Sequence, residues 1–74
     1  MPKIPVLKPR QVITILEKMG FAAVRQKGSH IQLKHPDGRQ TTVPNHKGRD
    51  LSPLLLKKII KDIKTSIEKF LSNI

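Results

Sequence analysis

Cysteine, tyrosine and tryptophan are missing from this 74-residue chain, acidic residues number only five, and the sole aromatic rings besides histidine are Phe21 and Phe70. Without cysteine there is no disulfide framework and no thiolate metal site, so packing must hold the fold, and cysteine usage leaves the redox compartment open. A platform on which single-stranded bases stack needs several exposed rings, and two phenylalanines do not supply it. Any nucleic acid would therefore be held mainly through phosphate and sugar. No apolar run approaches the roughly 18–20 residues of a membrane span. The opening Met1-Pro2-Lys3-Ile4-Pro5-Val6-Leu7 also lacks the apolar stretch of a secretory signal. A cytoplasmic protein without a membrane partner is expected.

What the chain has in quantity is positive charge. Fifteen Lys and Arg against five Asp and Glu give a formal net charge of +10. Such a surface attracts polyanions, because each phosphate it neutralises releases condensed counterions. Nucleic acid is the leading partner class, and a surface matched to an acidic protein is the alternative. The length fits one domain spanning residues 1–74, small enough that only about 60% of the unfolded surface can be buried.

Pro2, Pro5 and Pro9 favour an extended lead-in up to Lys8, after which Pro9 suits the first position of a helix. Val12, Ile13, Leu16 and Met19 recur on one helical face, Ile15 widens it, and Gly20 fits a left-handed C-terminal cap. Phe21 to Gln26 is β-prone, with Ala22 and Val24 on one side and Arg25 on the other. Gly28-Ser29 then allows a two-residue turn into His30-Ile31-Gln32-Leu33-Lys34-His35. Alternation buries Ile31 and Leu33 and turns His30, Gln32 and Lys34 to the opposite face. Pro36-Asp37-Gly38 supplies the next turn, so a strand around Arg39 to Val43 returns as a hairpin with Thr41 and Val43 on the buried side.

After a polar loop, Asp50-Leu51-Ser52-Pro53 reads as a helix start, with Ser52 as cap and Asp50 placed against the positive end of the dipole. Leu55, Leu56, Ile59, Ile60, Ile63, Ile67 and Phe70 keep helical spacing opposite Lys57, Lys58, Lys61 and Lys64. Thr65-Ser66 either caps a separate short helix or lies inside one long one, since no Gly or Pro forces a break. The expected fold is α+β: a three-stranded antiparallel sheet with both helices stacked on one face. The other face is left open and carries His30 and Lys34.

His30 is the first candidate for chemistry. An imidazole titrates near ~6.5 in its unperturbed state, so it can hold or release a proton at neutral pH. Arg25, Lys27 and Lys34 are near enough in sequence to offer charge to a phosphate, and Gly28-Ser29 can offer backbone donors as well as a turn. Lys47 and Arg49, ahead of a helix N-terminus, make a second phosphate-binding candidate. The three histidines at 30, 35 and 46 match no usual zinc spacing, and no metal or other cofactor is expected.

Several short motifs recur together in one order. They are Lys8-Pro9, Gly20-Phe21, Gly28-Ser29-His30, His35-Pro36-Asp37-Gly38-Arg39, Val43-Pro44 with His46, and Asp50-Leu51. Over nearly the whole chain this resembles the HicA-type toxins, small mRNA interferases of toxin–antitoxin pairs. The resemblance implies a double-stranded-RNA-binding-like α-β-β-β-α fold and metal-independent cleavage of messenger RNA. It also implies a free toxin that is monomeric and that forms a hetero-oligomer with a HicB-type antitoxin covering the active histidine. The family's catalytic histidine carries over to His30 alone. An Ala-Gly step late in the family's last helix is replaced here by Ile63-Lys64, which implies a straighter helical C-terminus.

Cleavage of RNA without metal uses the ribose 2′-hydroxyl against the adjacent phosphate. It needs a proton acceptor, a proton donor for the leaving 5′-oxygen and cations on the phosphate oxygens. His30 can fill one of the two proton roles. His35 and His46 are candidates for the other, but alternation puts His35 on the face opposite His30, and sequence does not fix the loop that carries His46. Two other outcomes stay open: a module of the same fold that binds RNA without cutting it, and a protein-interaction subunit whose basic surface serves an acidic partner.

Overall fold

The computed structural model describes residues 6–46 and 48–74. Pro2 and Pro5 of the expected lead-in, and Lys47, lie outside the described residues. Helix α1 spans Pro9–Lys18, strands β1, β2 and β3 span Ala22–Lys27, His30–Lys34 and Gln40–Pro44, and helices α2 and α3 span Pro53–Asp62 and Ile67–Leu71. The molecule is 18 Å across its thinnest dimension, the depth of two layers.

Pro9 opens α1, and the Lys8 backbone N–H donates to Gln11 Oε1 at 2.8 Å. Burial centres on Val12 and Leu16, Ile15 is buried beside them and widens the stripe, and Ile13 and Met19 are half-buried at the border. The helix ends in a Schellman motif: Phe21 N–H donates to Leu16 O and Gly20 N–H to Glu17 O. Gly20 has φ +98°, as the expected left-handed cap requires.

The strands form one antiparallel sheet in the order β1-β2-β3. A two-residue Gly28-Ser29 turn joins β1 to β2, with Gly28 at φ +60° in the first central position, the site glycine takes in a type II′ turn. The Pro36-Asp37-Gly38 turn joins β2 to β3. There Gly38 N–H donates to His35 O, His35 N–H donates to Arg39 O, and Gly38 has φ +99°. Leu33, Thr41 and Val43 are buried on the helix-covered face and Ile31 is half-buried, as alternation predicts.

Strand β1 departs from the expected alternation. Its register shifts between Ala23 and Arg25, so Val24 is an extra residue of a β-bulge. The bulge reverses the strand's phase, and Ala22 and Arg25, expected on opposite sides, fall on the same one. All six residues of β1 are exposed, Val24 at 56%, and the strand adds nothing to the core beyond the buried Phe21 that precedes it.

Ser52 caps α2 by accepting the Leu55 N–H at 3.2 Å, with Pro53 at the first helical position. Leu56, Ile59, Ile60 and Ile63 complete the core against Val12, Leu16, Leu33 and Val43. Buried Thr41 donates from Oγ1 to Asp62 Oδ2 at 3.2 Å, which satisfies the one polar side chain buried among the described residues. Leu51 N–H donates to Leu7 O at 2.8 Å and ties the lead-in of α1 to the lead-in of α2.

The last helix is divided, not straight. Thr65 N–H donates to Ile60 O, Lys64 N–H donates to Lys61 O, and Lys64 has φ +53°. That is again a Schellman ending, with lysine in the left-handed position. Ser66 then caps α3 by accepting the Lys69 N–H, and α3 sinks Phe70 fully into the core. No helix among the described residues is long and apolar enough to cross a membrane.

Candidate nucleic-acid interface and active site

The register sets what the open face presents. Lys27 pairs with His30 and His30 with Pro44, and in the next row on that face Arg25 pairs with Gln32 and Gln32 with Thr42. Arg25, Lys27, His30, Gln32 and Thr42 line one shallow concavity. The two-residue Gly28-Ser29 turn is what brings both Arg25 and Lys27 there: it sets Lys27 opposite His30 and Arg25 opposite Gln32, and the bulge changes the phase only upstream, at Ala22 and Ala23. Coulomb attraction between these cations and an incoming phosphate is largest at such short range.

His30 is exposed on this face, immediately after the Gly28-Ser29 turn. The turn is braced from two sides: Gln26 Nε2 donates to Gly28 O at 3.1 Å, and Asn45 N–H donates to Ser29 O at 2.6 Å. The second bond carries the β2–β3 ladder one residue beyond Pro44 and steers the chain so that His46 stands beside His30. The two rings are 6.1 Å apart between centroids and inclined at 83°. Sequence reasoning left His46 unplaced, although the hairpin contained the answer. Counting back from the Pro36-Asp37-Gly38 turn pairs His30 with Pro44 and leaves His46 two residues past that pair.

Lys34 shares the face with His30 but not the concavity. It lies four residues along β2, about 13 Å away at ~3.3 Å per residue, in the row of Ala22 and Gln40. Arg49 is also apart from the sheet face. It joins Lys8, Arg10 and His46 around a separate cleft between the start of α1 and the loop after β3. Lys8 and Arg10 were missed in the sequence because only the fold brings the two segments together. Lys47, the other cation expected there, lies outside the described residues. Arg49 does precede the start of α2, where Ser52 Oγ already occupies the Leu55 N–H.

His35 points away from this site. Its ring meets Phe21 edge-on at 5.1 Å, and Nδ1 lies 3.1 Å from the Asp37 amide nitrogen and 2.9 Å from Asp37 Oδ1. The neutral ring accepts from the amide, and the charged ring donates to the carboxylate. Its Nε2 lies where a Cβ on Gly20 would come within 2.8 Å, so glycine is needed there for space as well as for its φ. Asp37 is held below the ordinary carboxylate range, chiefly by the Arg39 backbone N–H and further by the Arg39 guanidinium. Among the described residues no group of three or more His, Asp or Glu is arranged to hold a metal ion.

A search of curated proteins finds none that matches. Residues 9–64 match the family model described as HicA toxin of bacterial toxin-antitoxin, a span that runs from the first residue of α1 to just past the end of α2. The chain therefore belongs to the HicA toxin family of bacterial toxin–antitoxin systems.

Proposed function

We propose that this toxin is an endoribonuclease that cleaves messenger RNA in the cytoplasm without a metal ion, with His30 as an acid-base group. A HicB-type antitoxin would neutralise it by covering the open sheet face. The observation that carries the proposal is the exposed imidazole of His30 set among Arg25 and Lys27 in one concavity. A phosphodiester held there has cations for its non-bridging oxygens and a proton-transfer group within reach. The 2′-hydroxyl of the substrate supplies the nucleophile, so the protein has only to move protons and stabilise charge. The shortage of aromatic rings agrees with binding through the backbone of the RNA rather than through stacked bases.

Expression of the chain alone in a bacterium tests the proposal. Growth arrest with loss of intact messenger RNA is expected from the wild type, and neither from His30→Ala at matched protein level. Equal arrest by both would remove His30 from the mechanism. Tight RNA binding with intact message would favour a non-catalytic RNA-binding module of the same fold.

A further inference from the structure

A one-histidine site leaves half of the chemistry unassigned. Transesterification takes a proton from the 2′-hydroxyl and gives one to the departing 5′-oxygen, and one imidazole in a single protonation state does not do both at once. Lysine and arginine stay protonated near neutral pH, so neither can take the 2′-hydroxyl proton, and as acids they give up a proton less readily than an imidazolium. No carboxylate lines the His30 concavity among the described residues. His35 is turned to the other side and engaged with Phe21 and Asp37.

His46 is the group that remains, and its position is fixed by named contacts. The Asn45 N–H to Ser29 O bond directs the chain past His30, and Arg49 N–H donates to His46 O at 3.1 Å to close the turn that follows. Both rings are exposed and stand 6.1 Å apart. His30 belongs to the concavity with Arg25 and Lys27, whereas His46 belongs to the cleft with Lys8, Arg10 and Arg49. An RNA strand whose successive phosphates occupy the two basic patches passes over this adjacent pair of imidazoles.

We propose that His46 is the second proton-transfer group of the cleavage reaction, acting with His30 on one phosphodiester. This inference rests on the nuclease reading above. One imidazole, neutral, takes the 2′-hydroxyl proton as the O2′–P bond forms. The other, protonated, gives its proton to the 5′-oxygen as the P–O5′ bond breaks. The products are a 2′,3′-cyclic phosphate and a 5′-hydroxyl, no electron is gained or lost, and exchange with water restores both rings.

A short RNA spanning the mapped cleavage site, made with either oxygen or sulfur at the bridging 5′ position, tests this. A thiolate leaves without protonation, so the sulfur substrate spares the enzyme its acid. On the oxygen substrate His30→Ala, His46→Ala and the size-conserving His46→Gln should each be slower by roughly 10²- to 10⁴-fold. On the sulfur substrate substitution at one of the two histidines, and not at the other, should recover to within about tenfold of wild type. Wild-type rates for the His46 variants on the oxygen substrate would overturn the proposal and leave the nuclease reading intact. So would slow His46 variants with no sulfur rescue at either position, which would make His46 a positioning residue for His30. A wild type that cuts neither substrate would remove the nuclease reading and this inference together.

Discussion

Arg39 joins parts of the chain that the sequence keeps far apart. Its Nη1 donates to Ile63 O at 2.7 Å, its Nε donates to Asp37 Oδ2 at 2.7 Å, and its guanidinium carbon lies 5.2 Å from the centre of the Phe21 ring. The β2–β3 turn is thereby tied to the C-terminal end of α2, where a cation also meets the negative end of the helix dipole. Asp37 sits at the other end of this contact with its ionised form favoured by the Arg39 N–H and guanidinium. Its folded-state value is below the unfolded one, so its contribution to stability is fully present above the unfolded value and is lost as pH falls through the folded one. Thermal unfolding of wild type and Asp37→Asn across a pH series should therefore show a wild-type advantage at neutral pH that shrinks below about pH 4. A constant difference down to acid would contradict the assignment. The turn itself was legible as Pro36-Asp37-Gly38. The anchoring role of Arg39 was not, because it depends on Ile63, which no local pattern connects to the turn.

Helices α1 and α2 end in the same motif with different residues in the left-handed position, Gly20 in one and Lys64 in the other. Lysine pays a steric cost there that glycine does not, on the order of 1–2 kcal/mol, offset in part by glycine's greater freedom when unfolded. Lys64→Gly should accordingly raise stability by about 0.5–1 kcal/mol, read by denaturant unfolding, and a loss of stability would count against the observed ending. The sequence could not reveal this break. Ile63, Ile67 and Phe70 stay at spacings of four and three across it, so their periodicity is the same for one helix or two. The caps at Gly20 and Ser52 and the three strands were legible from turn residues and alternation. The bulge in β1 was not, because Ala22, Ala23 and Val24 are all exposed and give no burial pattern from which to read a phase. Arg25 and Lys27 stand beside His30 for a different reason, the register that the two-residue Gly28-Ser29 turn sets, which the bulge upstream does not alter.

Across the whole molecule, a net charge of +10 says that polyanions are attracted but not where they bind. The fold separates the cations into patches: Arg25 and Lys27 beside His30, Lys8, Arg10 and Arg49 beside His46, and Lys57 and Lys61 exposed on α2. For a single-stranded RNA each phosphate contact contributes about 0.7 to the slope of log affinity against log salt. The double variant Arg25→Gln/Lys27→Gln should flatten that slope by roughly 1.4 if each residue meets one phosphate. Lys57→Gln/Lys61→Gln, with the same loss of net charge, should leave it nearly unchanged. Equal flattening by both would mean that overall charge, rather than the open sheet face, governs binding. The most direct test of His30 as the acid-base group is cleavage of a defined messenger RNA by the purified chain in EDTA, with His30→Ala alongside and binding measured for both. Cutting by the wild type, and binding without cutting by His30→Ala, is the predicted result. Equal cutting by His30→Ala, or binding without cutting by the wild type, would contradict it.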